Sequence, residues 1–189
     1  MPLNISDNNA KSRASIGPGV LYIGAAGATP TVSAGLITED GATFEVGGEM
    51  VDVLQGNPRL IEFSFFQTQS ATLGITSIEW ELDRLASAIG AGNTVVTGTE
   101  ETLSFGGEPC VQEYAIELQH RKCTAVHTVN IRLWKANSAD GGVSVPMNAG
   151  QVHQFPMRWR GLRADTNWAG DALPADEQLF QVAIELGLP

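Results

Sequence analysis

Three side chains with metal-binding or proton-transfer chemistry fall close together: His120, Cys123 and His127, with Cys110 upstream. Zinc needs four soft ligands converging on one point. The flanking pattern puts His120 and Cys123 on either side of a turn, and the chain holds only 3 histidines. Ordinary strand and turn residues are the better reading. Gly17-Pro18-Gly19 offers the glycines of a phosphate loop, but such sites run strand, glycines, helix, and here the glycines precede a strand. They read as a turn. There is no Gly-x-Ser-x-Gly elbow, and no spacing unites a serine, a histidine and an acid. The acids are spread along the chain, as on a solvated face. The sequence therefore predicts no catalytic residue, no metal and no cofactor, and a protein that is not an enzyme.

Four tryptophans remain as recognition chemistry: Trp80, Trp134, Trp159 and Trp168. Exposed indoles grouped on one face would hold a sugar ring. Trp80 and Trp159 lie in apolar patterns, which suits core packing. Trp168 lies in a polar loop and is expected to be exposed, as an interface anchor.

The elements that must position these residues follow from composition and period. A chain of 189 residues with 43% hydrophobic and 17% charged residues suits one globular domain able to bury its own core. Its 21 glycines recur between short apolar stretches, as in all-β folds. The net charge of −10 argues against a protein that grips nucleic acid by its phosphates. No run of apolar residues approaches a membrane span, and no targeting segment is visible. Cys110 and Cys123 make no disulfide framework, so synthesis in a reducing cytosol is expected.

Met1 to Ser15 lacks any period and is expected to be a flexible arm, with one domain over 16–189. Val20 to Ile23 is a short strand. Asp40-Gly41 is a turn signal. Phe44 and Val46 share one strand face, yet beyond Gly47-Gly48 the apolar positions are Val51 and Val53. A bulge at the glycine pair is expected to absorb this change of parity. Gln55 to Arg59 reads as a loop, and Leu60 to Phe66 is an apolar run in a long stretch between clearer strands. Ala71, Leu73 and Ile75 alternate with Ser70, Thr72 and Thr76. Ile78, Leu82, Leu85 and Ile89 share a helical stripe, with Glu79, Glu81 and Asp83 in the first turns and Gly90 at the stop, so one helix is expected over about Ile78–Ile89. Further alternating strands cover Thr102–Phe105, Glu113–Gln119, Thr128–Lys135, Phe155–Arg160 and Phe180–Leu186, with a turn near Arg121-Lys122 and another over Asn137–Gly142. Tyr114, Ile116 and Leu118 are expected inside, and Glu113, Glu117 and Gln119 outside. The expected fold class is mainly β: an antiparallel β-sandwich or half-barrel with one flanking helix.

Several of these stretches, in this order, resemble tail tube proteins of long-tailed, non-contractile bacteriophages. They are Ile16-Gly-Pro-Gly-Val-Leu-Tyr-Ile-Gly24, Asp40-Gly-Ala-Thr-Phe-Glu45, Ile78-Glu-Trp-Glu-Leu-Asp83 with Ala88-Ile-Gly90, the Phe155 to Trp159 strand, Asp165-Thr166, and Leu179 to Ile184. The resemblance runs from Ile16 to Leu186. It implies a structural protein of the virion tail, made in the host bacterial cytoplasm. Six copies would form each ring, and stacked rings would form a tube through which DNA passes without specific binding during ejection. It implies the tape measure, tail terminator and distal tail proteins as partners, and no membrane. It also implies an inter-ring loop, here about 54–69, for which Leu54, Gln55, Asn57, Arg59, Leu60, Phe63 and Phe65 are the contact candidates. An acidic channel would repel phosphate. Alternation turns Glu45, Glu113 and Glu117 away from the core, and these are the lumen candidates. Two other readings stay open: another tail part such as a terminator or distal tail ring, and a monomeric β-sandwich module that binds carbohydrate or a cell surface.

Overall fold

Period-two patterning dominates the computed structural model, which describes residues 19–107, 110–121, 128–145, 147 and 152–184. The elements, in chain order, are β1 (Val20–Ala25), β2 (Val32–Ser33), β3 (Ile37–Gln55), β4 (Leu60–Ser77), α1 (Leu82–Ile89), β5 (Asn93–Thr97), β6 (Glu100–Ser104), β7 (Tyr114–Arg121), β8 (Thr128–Ser138), β9 (Phe155–Gly161) and β10 (Gln181–Ile184). The expected arm at 1–15 lies outside the described residues, as do Cys123, His127 and the turn at Lys122.

Every strand pair is antiparallel. The main sheet runs β2-β1-β7-β8-β9-β4-β3, with β10 added to β8. Strand β8 carries the fold around its corner. Its Val129–Arg132 stretch pairs with β10, whereas Ala136–Ser138 pairs with β9. The sheet thereby closes over one core, to which β1 gives Leu21 and Ile23, β4 gives Leu73 and Ile75, β7 gives Ile116 and Leu118, and β9 gives Met157 and Trp159. This is the mainly β, sandwich or half-barrel architecture with one helix. Strand β9 shows the logic most plainly: Phe155, Met157, Trp159 and Gly161 are buried, and Pro156, Arg158 and Arg160 are exposed.

Local structure departs from the sequence expectation at several points. The helix begins at Leu82 rather than Ile78, because Glu81 is extended at φ −132, ψ 124 and takes the N-cap position. Its buried face is Ala86, Ser87 and Ala88, while Leu82, Leu85 and Ile89 are only half-buried. Asp40-Gly41 does not turn the chain back. The register slips there between Ile37 and Ala42, so the strand bulges and continues. Trp80 is exposed, its ring edge-on to Phe155, and Trp168 is half-buried, edge-on to Trp134. The roles expected of these two indoles are therefore exchanged. In β10 the alternation is present, but Val182 and Ile184 face outward and are exposed. The hairpin β5–β6 stands apart from the main sheet and packs on α1.

Candidate functional site

The region 54–69 is not a loop. Residues 60–69 belong to strand β4 and pair antiparallel with β3, and only a short turn separates Gln55 from Leu60. Beyond Thr72, β4 has no neighbour except β3. The outer halves of these two strands therefore leave the body as a two-stranded ribbon, about 30 Å long from Val46 to Gln55 at the usual rise of about 3.4 Å per residue. β-branched and aromatic residues favour strand here, and pairing satisfies the backbone groups that a loop would have left to water.

The ribbon is apolar and uncovered. Val46, Met50, Leu54, Leu60, Ile61, Phe63, Phe65 and Phe66 are all exposed, Phe63 by 55%. A free two-stranded hairpin is marginal in water, and soluble monomers seldom expose a patch of this size. Fully burying one such side chain is worth roughly 1.5–3 kcal/mol, so covering several outweighs the ordering of their rotamers.

The two faces of the ribbon differ. Met50 and Phe66, Asp52 and Ser64, and Leu54 and Ile61 pair on one face, where the Ser64 hydroxyl donates to Asp52 at 2.5 Å. Val51 and Phe65, Val53 and Phe63, and Gln55 and Leu60 pair on the other. The expected bulge at Gly47-Gly48 is absent, since both glycines pair in register with Ser70 and Gln69. The ribbon's register shifts come at Glu49/Met50 and Val53/Leu54, and the extra residues are Gln67 and Glu62 on the opposite strand. Gly48 has a different role: a Cβ there would stand 2.6 Å from the Thr68 carbonyl oxygen, so the strands approach too closely for a side chain.

The contact candidates named from sequence thus lie together on the ribbon's outer half. Leu54 is on one face, Gln55, Leu60, Phe63 and Phe65 are on the other, and Asn57 and Arg59 are in the turn. Sequence reasoning missed Met50, Val51, Val53 and Phe66, although the change of parity after Val46 marked them.

The lumen candidates fare differently. Glu45 projects from β3 on the side away from the core and accepts from Arg158 Nη2 at 2.5 Å and from the Thr72 hydroxyl at 3.3 Å. Glu113 pairs with Lys135 at 2.9 Å. Glu117 is buried, contrary to its expected exposure. Its Oε1 accepts from Arg132 Nε at 2.8 Å and its Oε2 from Gln119 Nε2 at 3.0 Å. The reason is a covering layer: Arg132 also donates to Gln181, Gln181 donates to Glu177, and the Trp134 indole donates to the Glu177 carbonyl. Each of the three acids is therefore matched by a base, and only Glu45 and Glu113 reach solvent. Acids without an ion pair among the described residues include Glu39, Asp40, Glu49, Glu100, Glu101 and Asp140.

No family model matches the chain, and no curated protein is detectably similar to it in sequence. Among the described residues there is no group of three or more metal-ligating side chains, and no helix is long and apolar enough to cross a membrane. His120 is half-buried on β7, and Cys110 is an exposed free thiol. What the geometry offers is an exposed apolar surface on a two-stranded antiparallel ribbon.

Proposed function

We propose that the chain is a structural subunit of the tail tube of a long-tailed, non-contractile bacteriophage, forming stacked hexameric rings around a DNA channel. The observation that carries this reading is the β3–β4 ribbon. It projects from a complete β body and exposes large apolar side chains on both faces, a cost that only a partner relieves. A subunit that repeats around a ring and along a tube needs such a projection, because each copy must grip a neighbour outside its own core. The net charge of −10, repeated around a ring, repels phosphate and lets DNA slide without retention. Since Glu45, Glu113 and Glu117 are each matched by a base, the acids that give the channel its sign are better sought at Asp40 and Asp140, which make no ion pair among the described residues.

Negative-stain electron microscopy of the purified protein over a range of concentrations tests the reading. Hollow rings or tubes are expected. Single-subunit particles at every concentration, with or without a tail-tip template, would sink it and favour a monomeric binding module.

A further inference from the structure

A groove in the body is complementary to the ribbon's tip. It lies between β1, α1 and the residues that lead into β7, with a volume of about 480 Å³. Ile23, Ala25, Val32 and Tyr114 line it together with the carboxylates of Asp83 and Glu113. The base inside it is already taken: Arg84 is held by Glu79 at 2.8 Å and by Glu81 at 2.6 Å. Asp83 accepts from the Thr94 hydroxyl and has no base partner among the described residues, while Glu113 meets Lys135. Two acids, Asp83 and Glu113, thus line the groove against one base, Arg84, which is already held by Glu79 and Glu81, beside an apolar lining.

The ribbon tip carries the opposite pattern. Arg59 is exposed and makes no ion pair among the described residues. Leu60 and Ile61 follow it, 67% and 59% exposed. The next acid along the chain, Glu62, lies against Gln55. A lone cation among bare aliphatic side chains at the end of a stiff ribbon is the converse of an apolar groove with an acidic rim.

We infer that the ribbon tip of one copy seats in this groove of a second copy. Leu60 packs toward Ile23 and Val32, and Arg59 meets Asp83 and Glu113. This rests on the self-assembly reading and names the receiving surface. The aliphatic residues supply the desolvated centre of the contact, and the charges set its register and suppress wrong seatings. Tip and groove lie on different parts of the chain, so every copy offers one of each. Such a contact propagates from copy to copy instead of closing as a symmetric pair.

Charge exchange tests it. Arg59→Glu and Asp83→Arg are each expected to raise the protein concentration needed for assembly roughly tenfold, because like charges then face each other. The double variant is expected to recover most of the loss. Singles that assemble like the parent, or a double as impaired as both losses combined, would overturn the inference while leaving the tube reading intact. A second measurement covers variants that fold poorly. In Arg59→Lys the charge is kept, and a carbodiimide can join the new amine to a carboxylate. With mixed light and heavy isotope-labelled copies at high concentration, cross-links from position 59 to Asp83 or Glu113 are expected between copies. Cross-links only to other sites, or only within one copy, would also overturn it. If the parent protein never assembles, the tube reading fails separately, and this cross-link still decides whether tip meets groove.

Discussion

Val51 stands directly opposite Phe65 across the ribbon, and β3 runs without an inserted residue from Glu45 to Val51, so this pair shares the side that carries Glu45, away from the core. Nearer the body, the core side of the same strand carries Phe44 and Val46. Beyond residues 49–50 the outward side gains Val51 and Val53, while Met50 and Leu54 keep the other side apolar as well. In β4 the extra residue Gln67 places Phe63 and Phe65 on the opposite side from Leu73. The outward side of the ribbon therefore carries Val51, Val53, Phe63 and Phe65 in addition to the apolar residues of the other face. Replacing Phe63 and Phe65 together by Ser is expected to abolish assembly while shifting unfolding free energy by less than about 1 kcal/mol, since exposed positions matter little to the monomer. Sedimentation with thermal unfolding checks both parts. Assembly that survives this double change would remove the ribbon's outward face from the interface.

The core makes the opposite prediction. Trp159 is fully buried among Leu73, Met157 and Leu133, in the one cluster that joins both halves of the sheet. Trp159→Ala is expected to cost about 3–5 kcal/mol through lost burial and a residual cavity. Denaturant unfolding checks it. A loss below about 1 kcal/mol would mean that the core is not packed as described.

How far the sequence exposed this layout depended on where the hydrophobic pattern had a single cause. Strands β4 and β9 were legible because Leu73, Ile75, Met157 and Trp159 answer only to the monomer's core. The ribbon was not, because Phe63 and Phe65 lie exposed outside this chain's core, so alternation has no buried face to assign them to. Glu117 looked exposed because alternation assigns only two faces, and it cannot foresee the layer of Glu177 and Gln181 laid over the second one. The helix start was misplaced because Ile78 continues the stripe, although Ile78 in fact donates its N–H to the Leu36 carbonyl at 3.1 Å, beside the end of β4.

The pair Glu117–Arg132 is expected to matter for stability more than for any channel. With Glu117 almost fully buried and Arg132 28% exposed, removing the acid leaves a guanidinium without its main partner. Glu117→Ala is expected to cost about 3 kcal/mol, the low end for breaking a buried pair. Because Arg132 also sits 5.9 Å from the Trp134 and Trp168 ring centres, Arg132→Met should restore part of that loss in the double variant. A double-mutant cycle reads the coupling. Simple additivity would deny that the two form a unit.

Gly90 ends α1 in the left-handed region at φ 79 and returns its N–H to the Ala86 carbonyl at 2.9 Å. A Cβ there would lie 2.7 Å from Val111 Cγ1 and 2.9 Å from Ser138 Cβ. Gly90→Ala therefore meets both backbone strain and crowding, and it is expected to cost about 2 kcal/mol or more. Ser138 also donates to the Ala88 carbonyl at 2.6 Å, so the same change should loosen the seat of the helix on β8. Hydrogen exchange of the Ala86–Gly90 amides is the direct measure, and unchanged protection there would contradict the close approach.

The last prediction concerns the sign of the outward face. Glu45 and Arg158 meet at 2.5 Å with side chains 58% and 44% exposed, so their pair is worth less than about 1 kcal/mol, and Glu45→Lys should fold normally. Its effect should be electrostatic. The new cation would stand beside Arg158, one strand from Arg160, which has no ion pair among the described residues. If this face lines the channel, assembled tubes of the variant should retain DNA at low salt and release it steeply as salt rises, whereas parent tubes should not bind. A filter-binding titration against salt separates the cases. Retention by the variant would place the β3–β4–β9 face toward the DNA path. Equal behaviour of variant and parent would place it on the outside of the tube or at a contact between copies, and the search for lumen acids would then move to Glu100 and Glu101 on β6, away from this sheet.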